Sequence, residues 1–186
     1  MDHPAAIRPV VLTKSIVLVG LMGAGKSKIG RQLSLDFGVE FIDSDDVIEQ
    51  VAGMDIATIF ELYGEEKFRA IEAREISTLL NGKPAIVSTG GGAYMHPETR
   101  QVINQSGLCV WLKATPETLA GRISNTDSRP LLKGKDPVLV LQKLAQEREP
   151  IYAEAELVVD TNGLSLPKAI EKVKTTLTSY MNGDPI

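Results

Sequence analysis

Residues 20–27 read GLMGAGKS, and their types and spacing could bind phosphate groups. They fit the pattern G-x-x-x-x-G-K-[ST] without a mismatch. Glycines let a backbone wrap around phosphate oxygens, and the N–H groups at a helix N-terminus attract anions. In such a loop Lys26 would reach the β- and γ-phosphates, and the Ser27 hydroxyl would bind Mg²⁺. This phosphate-binding loop therefore predicts a site for a nucleoside triphosphate.

The segments on either side of the loop have the patterns that such a site requires. The apolar run at residues 15–19 is typical of a buried parallel strand. After the loop, Ile29, Leu33 and Phe37 recur at four-residue spacing, which predicts one apolar face of a helix that ends before Gly38. Strand, loop and helix follow in the order that the motif needs.

An acidic pair and a run of glycines each follow a further predicted strand. Residues 39–42 lead into Asp43 and Asp45, and residues 84–88 lead into three glycines at 90–92. Open parallel sheets bind ligands at the carboxyl ends of their strands. We expect the two aspartates to point to the same side of an extended chain, because side chains alternate with a period of two. The glycines would let the backbone approach a ligand closely.

The rest of the chain alternates helix and strand patterns. Strands are predicted over residues 108–112 and 157–159, and Gly64 separates a short helix from a longer one. Thr115 is placed to cap a helix, and Ser165 is placed to cap the last one. This alternation favours a parallel sheet with helices on both faces.

The domain organisation is predicted to be simple. Residues 15–181 are interpreted as one domain, with a disordered lead at 1–14 and a short tail at 182–186. Residues 125–137 are polar, charged and contain prolines, which predicts a mobile loop, or lid, that covers the site.

Composition narrows the classes of partner. The chain has 186 residues, 43% hydrophobic and 24% charged, with a net charge of −4, which argues weakly against nucleic acid as the main ligand. Its single cysteine, Cys109, lies in an apolar run and fits a reducing compartment. No apolar run approaches the roughly 20 residues that cross a bilayer. We therefore expect a cytoplasmic protein, and monomer is the default expectation.

Other nucleotide-binding classes fit less well. A GTPase would carry D-x-x-G after an early strand and N-K-x-D for guanine, but D-x-x-G occurs only at 160–163 and N-K-x-D does not occur. A motor or transporter ATPase would normally need a longer chain or an assembly surface. A small kinase with a lid remains.

Several motifs together resemble the shikimate kinase family. They occur in the family's order between about residues 15 and 180, and they are residues 20–27, 41–45, 48–49, 59–60, 64–65, 68–69, 72, 90–92, 129–132, 148 and 152. The resemblance implies a three-layer α/β/α kinase fold, with a five-stranded parallel sheet of order 2-3-1-4-5 and a substrate-binding region at about 43–75. It also implies Mg²⁺-dependent transfer of the ATP γ-phosphate to the 3-hydroxyl of shikimate, in chorismate and aromatic amino acid biosynthesis.

The same resemblance implies the residues that would bind shikimate. Arg69 and Arg148 would hold its carboxylate, for which a planar guanidinium is well suited. Asp45 would orient the 3-hydroxyl and could accept its proton. The glycine triplet, Gly90, Gly91 and Gly92, would present backbone to the substrate.

It likewise implies the nucleotide and metal groups. Arg129 would close over the site with the lid and stabilise the transferring phosphoryl group. The implied catalytic residues are Asp45, Lys26 and Arg129. Ser27 and Asp43 would bind Mg²⁺, and Arg122 would pack on the adenine ring. The implied ATP-binding residues are Gly23, Ala24, Gly25, Lys26, Ser27, Lys28, Arg122 and Arg129.

Two features depart from the family pattern, and two alternatives remain. Lys28 stands where many relatives have a small or β-branched residue, and residues 161–164 lack the arginine often found near adenine. A related small-metabolite kinase, such as a gluconate kinase, would share the loop and the lid. A catalytically silent nucleotide-binding module is the alternative of a different class.

Overall fold

A parallel sheet forms the centre of the protein, seen in a computed structural model that describes residues 11–123, 132 and 134–185. Its strand order is β2-β3-β1-β4-β5, and every neighbouring pair is parallel. The strands are β1 (Ser15–Val19), β2 (Glu40–Asp43), β3 (Ala85–Ser88), β4 (Gly107–Lys113) and β5 (Leu157–Asp160). The predicted sheet and its order are confirmed.

Helices connect the strands, as expected for a parallel sheet. The α-helices are α1 (Lys26–Phe37), α2 (Ser44–Ala52), α3 (Ile56–Leu80), α4 (Pro97–Ser106), α5 (Pro116–Arg122), α6 (Pro137–Tyr152) and α7 (Leu166–Asn182). A 3₁₀ turn, Ala93–Met95, follows the glycine triplet. Within the described ranges, no helix has the length and apolar character needed to span a membrane.

The phosphate-binding loop follows a fully buried strand of the sheet. All five residues of β1 are buried, and Ile16 aligns with Ile86 of β3 on one side and with Leu108 of β4 on the other. The predicted apolar face of α1 places Ile29 and Leu33 in the main core. The loop is therefore held by a strand and a helix that both pack into the centre of the protein.

Capping residues set the limits of several helices. Thr115 accepts a hydrogen bond from the backbone N–H of Thr118, as a helix N-cap does. Gly38 ends α1 in the left-handed conformation, with φ 66°. Ser165 lies at the predicted N-cap of α7, but its side chain makes no capping hydrogen bond.

Helix α3 contains the predicted break at Gly64. Its φ of 77° and ψ of 173° are not helical, so the helix is kinked there. A second, small hydrophobic cluster of Ile48, Ile59 and Phe68 packs α2 against α3 on both sides of the break. The longer segment after the break reaches the main core through Ile76 and Leu80.

Part of the predicted lid can be placed. Helix α6 begins at Pro137, the last residue assigned to the lid, and Asp136 caps it by accepting hydrogen bonds from the N–H groups of Val138 and Leu139. Arg129 and residues 124–131 and 133 lie outside the described residues, as do 1–10 and 186.

Candidate active site

The phosphate-binding loop is shaped by close contacts that exclude larger side chains. Gly23 has φ 84°, and a Cβ built on it would lie 2.6 Å from the carbonyl oxygen of Leu119. Lys26 donates hydrogen bonds from Nζ to the carbonyl oxygens of Gly20 at 2.8 Å and Leu21 at 3.2 Å. The ammonium group of Lys26 therefore lies against the backbone of the loop, in which a phosphate would also bind.

Three side-chain oxygens meet next to the loop. Ser27 Oγ donates to Asp43 Oδ2 at 3.1 Å and lies 3.4 Å from Ser88 Oγ. The sheet produces this cluster, because Asp43 and Ser88 are partners in the β2–β3 register and end their strands together. Hard oxygen ligands of this kind suit Mg²⁺, which keeps several waters and usually takes only one or two protein groups.

No denser metal site competes with this cluster. Across the part of the chain that the structure describes, there is no group of three or more His, Cys, Asp or Glu residues that could hold a metal ion. The residues present thus fit an ion that is bound mainly by phosphates and water, with Ser27 and Asp43 as its protein contacts.

One detail of the acidic pair differs from the expectation. Asp43 and Asp45 do not lie along one extended strand, because β2 ends at Asp43 and α2 begins at Ser44. Asp43 is the N-cap of α2 and accepts a hydrogen bond at 3.2 Å from the backbone N–H of Asp45. The need to cap the helix overrides continued extension and places Asp45 in the first helical turn.

Asp45 lies in an environment that disfavours its charge. Burial raises its pKa from the ordinary 3.8 to about 6, and the nearby carboxylates of Asp43, Glu72 and Glu49 act in the same direction. The ammonium of Lys26 acts in the opposite direction. A carboxyl group with a pKa close to the working pH can accept a proton and release it again.

The glycine triplet packs against the two ends of the predicted acceptor site. A Cβ built on Gly90 would lie 2.9 Å from Asp45 Oδ1, and one on Gly92 would lie 2.8 Å from Arg69 Nη2. A methyl group at either position would displace Asp45 or Arg69. Charged groups that face the cleft thus lie directly against the backbone of Gly90 and Gly92.

Arg69 is oriented by two carboxylates on its own helix. Its Nη1 donates to Glu72 Oε2 at 2.7 Å, and its Nη2 lies 3.4 Å from Glu65 Oε1. Glu72 is almost fully buried, and burial raises the pKa of its carboxyl group while the pairing with Arg69 opposes that shift. Glu72 thus holds Nη1 of the guanidinium, and Nη2 lies next to Gly92 of the triplet.

Arg148 reaches the triplet from α6. Its Nη1 donates to the carbonyl oxygen of Gly91 at 3.0 Å, and the hydroxyl of Tyr152 donates to the same oxygen at 2.6 Å. Arg69, Asp45 and Arg148 come from α3, α2 and α6, yet each contacts one of three consecutive glycines.

Arg122 is held by the loop that follows β5. It donates to the side-chain and backbone oxygens of Thr161 and to the carbonyl oxygen of Leu164, at 3.2, 2.6 and 3.2 Å. Burial lowers the pKa of its guanidinium. Residues 161–164, the loop that lacks the arginine often found near adenine in the family, thus fix the orientation of the Arg122 side chain.

One cleft of about 610 Å³ contains most of the predicted residues. It runs from the phosphate-binding loop past Asp43, Asp45, Gly90 and Gly91 to Arg122, and the exposed Lys28 lies at its margin. Arg69, Gly92 and Arg148 adjoin it through the triplet. A larger groove of about 900 Å³ lies between α5, α6 and the ends of β4 and β5, and no predicted residue lines it.

Some residues of the site were not given a role from the sequence. Ser88 could have been found, since it ends a strand beside β1. Glu72 and Tyr152 belong to the motifs that carry the resemblance. Only the folded structure shows that Glu72 pairs with Arg69 and that Tyr152 donates to Gly91. Arg129 cannot be placed, because it lies outside the described residues.

Comparison with known proteins agrees with this geometry. The family model described as shikimate kinase matches residues 22–178. A shikimate kinase of Caulobacter vibrioides is 49% identical over 164 residues, which cover 88% of this chain and 82% of the relative. A solved shikimate kinase from Acinetobacter baumannii, in complex with shikimate, superposes with TM-score 0.82 at 36% identity, covering 90% and 94% of the two chains. A gluconokinase from Sinorhizobium meliloti shares the fold, with TM-score 0.63 at 18% identity over 94% and 97% of the chains.

Proposed function

The chain belongs to the shikimate kinase family, and from this we propose how its site carries out the family's reaction. The protein is an ATP-dependent kinase that phosphorylates the 3-hydroxyl of shikimate and releases shikimate 3-phosphate and ADP. The observation that supports the acceptor most directly is the glycine triplet, whose members contact Asp45, Arg148 and Arg69 in turn. One backbone segment thus gathers a carboxylate for a hydroxyl group and two guanidinium groups for a carboxylate.

The two arginines are proposed to hold the substrate carboxylate. Arg69 and Arg148 contact neighbouring glycines of the triplet and come from different helices. Paired guanidinium groups bind a planar carboxylate with directed, charge-assisted hydrogen bonds. Their positions would turn the far side of the shikimate ring, with its hydroxyls, towards Asp45 and the phosphate-binding loop.

Asp45 is proposed to orient the 3-hydroxyl and to accept its proton. Its raised pKa leaves it ionised at neutral pH but able to take up a proton as the new phosphate ester bond forms. Lys26 and the backbone of residues 23–28 would bind the β- and γ-phosphates, so catalysis would depend mainly on positioning and electrostatics. No covalent enzyme intermediate is needed.

Mg²⁺ and the lid complete the proposal. Ser27 and Asp43 would hold the ion, which supplies charge neutralisation between the β- and γ-phosphates. We further propose that residues 125–137, with Arg129, form the lid, that residues 43–75 form the acceptor region within one domain over 15–181, and that Arg122 contacts adenine. A cytoplasmic monomer that does not bind nucleic acid is also proposed, and sedimentation at micromolar concentration tests its oligomeric state.

Release of ADP tests the acceptor. With Mg²⁺ and ATP, we expect turnover with shikimate and none with gluconate or quinate. Arg148→Ala should abolish turnover at moderate shikimate concentrations, because the carboxylate loses one of its two guanidinium partners. Arg74→Ala is the matched control, since the Arg74 side chain is two-thirds exposed and pairs only with Glu75.

The alternatives make different predictions. A gluconate kinase would release ADP with gluconate and not with shikimate. A silent nucleotide-binding module would bind ATP without turnover of any of the three acceptors. Either result would refute the proposed acceptor and leave the nucleotide site unaffected.

A further inference from the structure

Tyr152 makes a hydrogen bond that the reaction described above does not use. Its hydroxyl donates to the carbonyl oxygen of Gly91 at 2.6 Å, and Arg148 donates to the same oxygen at 3.0 Å. Arg148 and Tyr152 are four residues apart on α6 and therefore lie on one face of that helix. The central glycine of the triplet is thus bound to α6 by two donors, of which Arg148 is also proposed to bind the substrate.

The surroundings of Tyr152 keep its hydroxyl fixed and protonated. Its side chain is buried, and its ring stacks between Tyr94, at 6.3 Å, and Trp111, at 5.7 Å between ring centroids. Burial raises the pKa of the hydroxyl to about 12, although the charge of Arg148 acts in the opposite direction. The group therefore remains a donor throughout the pH range in which an enzyme of this class would work.

The two donors to Gly91 are not equivalent once an acceptor is bound. A guanidinium carries five N–H groups, and a carboxylate that binds Arg148 competes for the ones that face the cleft. The Tyr152 hydroxyl has a single proton, which it donates to Gly91, and its side chain is almost fully buried. It can hold the Gly91 carbonyl while Arg148 adjusts to the substrate.

We propose that Tyr152 is a positioning residue for the acceptor site. Its hydroxyl fixes the carbonyl of Gly91, and so keeps the triplet and Arg148 in the arrangement that binds the acceptor's carboxylate. This inference rests on the proposed function, because it assigns Tyr152 a part in binding that acceptor. It concerns shikimate and leaves the nucleotide site unaffected.

Tyr152→Phe tests the proposal, because it removes one oxygen and preserves the ring stack. Loss of a single neutral hydrogen bond corresponds to roughly a two- to tenfold change in affinity. We expect KM for shikimate to rise by about that factor, with kcat within about twofold and KM for ATP unchanged. Calorimetric titration of shikimate into the nucleotide-free enzyme should show the same weakening.

Tyr94→Phe is the matched control. Tyr94 belongs to the same stack and is equally buried, but its hydroxyl donates to Asn104 Oδ1 at 2.8 Å, away from the triplet. Both variants should lose similar stability in thermal unfolding, and only Tyr152→Phe should change KM for shikimate.

Four results would overturn the inference. An unchanged KM for shikimate in Tyr152→Phe, or an equal change in Tyr94→Phe, would show that the hydroxyl contributes to stability alone. A parallel rise in KM for ATP would indicate general damage to the site. Absence of shikimate turnover by the unaltered enzyme would refute the proposed function itself, and the positioning role with it.

Discussion

Replacement of Asp45 by asparagine should abolish most activity and at the same time stabilise the protein. Both effects follow from the position of Asp45 in the structure. Asp45 is proposed to orient and deprotonate the acceptor hydroxyl, and its pKa is raised from 3.8 to about 6 by burial and by neighbouring carboxylates. A carboxyl group that is hard to ionise in the folded protein lowers stability whenever it is ionised.

The magnitude follows from that shift in pKa. At 1.36 kcal/mol per pH unit, the change corresponds to about 3 kcal/mol of destabilisation at pH 7. Because the folded pKa lies above the unfolded one, the destabilisation is absent below pH 3.8 and grows as pH rises to about 6. At pH 4.5 about 1 kcal/mol would remain. Asparagine approximates the neutral carboxyl group, so about 3 kcal/mol is the upper limit of the gain.

Urea unfolding with a chelator and without nucleotide measures this gain in the metal-free protein. We expect Asp45→Asn to exceed the unaltered protein by about 2–3 kcal/mol at pH 7.5 and by about 1 kcal/mol or less at pH 4.5. The control is Asp46→Asn, because Asp46 is exposed. In the activity assay, kcat should fall by about 10²–10⁴-fold while affinity for ATP changes little.

Three outcomes would refute this reasoning. Equal stability of Asp45→Asn and the unaltered protein at pH 7.5 would mean that Asp45 is not under the electrostatic strain described. A gain that stays constant between pH 4.5 and 7.5 would mean that it does not come from ionisation. Full activity of the variant would remove Asp45 from the reaction.

Three further predictions follow from the site. Gly92→Ala should raise KM for shikimate about tenfold, because the alanine Cβ would lie 2.8 Å from Arg69 Nη2 and displace the guanidinium. The control is Gly121→Ala, where a Cβ meets nothing within 4 Å. An unaltered KM in Gly92→Ala would contradict the contact. The value of kcat/KM for shikimate should fall about tenfold per pH unit below about pH 6, as Asp45 becomes protonated, and a profile flat down to pH 5 would argue against a base at this position. Ser27→Ala should weaken Mg²⁺-dependent binding of ADP in calorimetry with little effect on binding without the metal, and an equal loss under both conditions would place the hydroxyl on phosphate instead.

Local patterns predicted the framework better than they predicted the contacts within the site. The phosphate-binding loop and the break at Gly64 follow from residue types over a few positions, and the strand order follows from a resemblance carried by several motifs. The partners of Arg122 and Tyr152 lie about 40 and 60 residues away along the chain, where no local pattern reports them. The geometry of Asp43 was missed because helix capping competed with strand extension and prevailed.

The small hydrophobic cluster of Ile48, Ile59 and Phe68 has a consequence for how acceptor specificity can change during evolution. These residues form a core of their own, apart from the one beneath the sheet, and the break at Gly64 lies between Ile59 and Phe68. Substitutions in separate cores act nearly independently on stability. We therefore expect residues 44–68 to accept substitutions with little effect on the stability of the sheet. Under the proposed function, Asp45 of the acceptor site lies in this segment and the phosphate-binding loop lies outside it, so acceptor preference can change while the nucleotide site is kept.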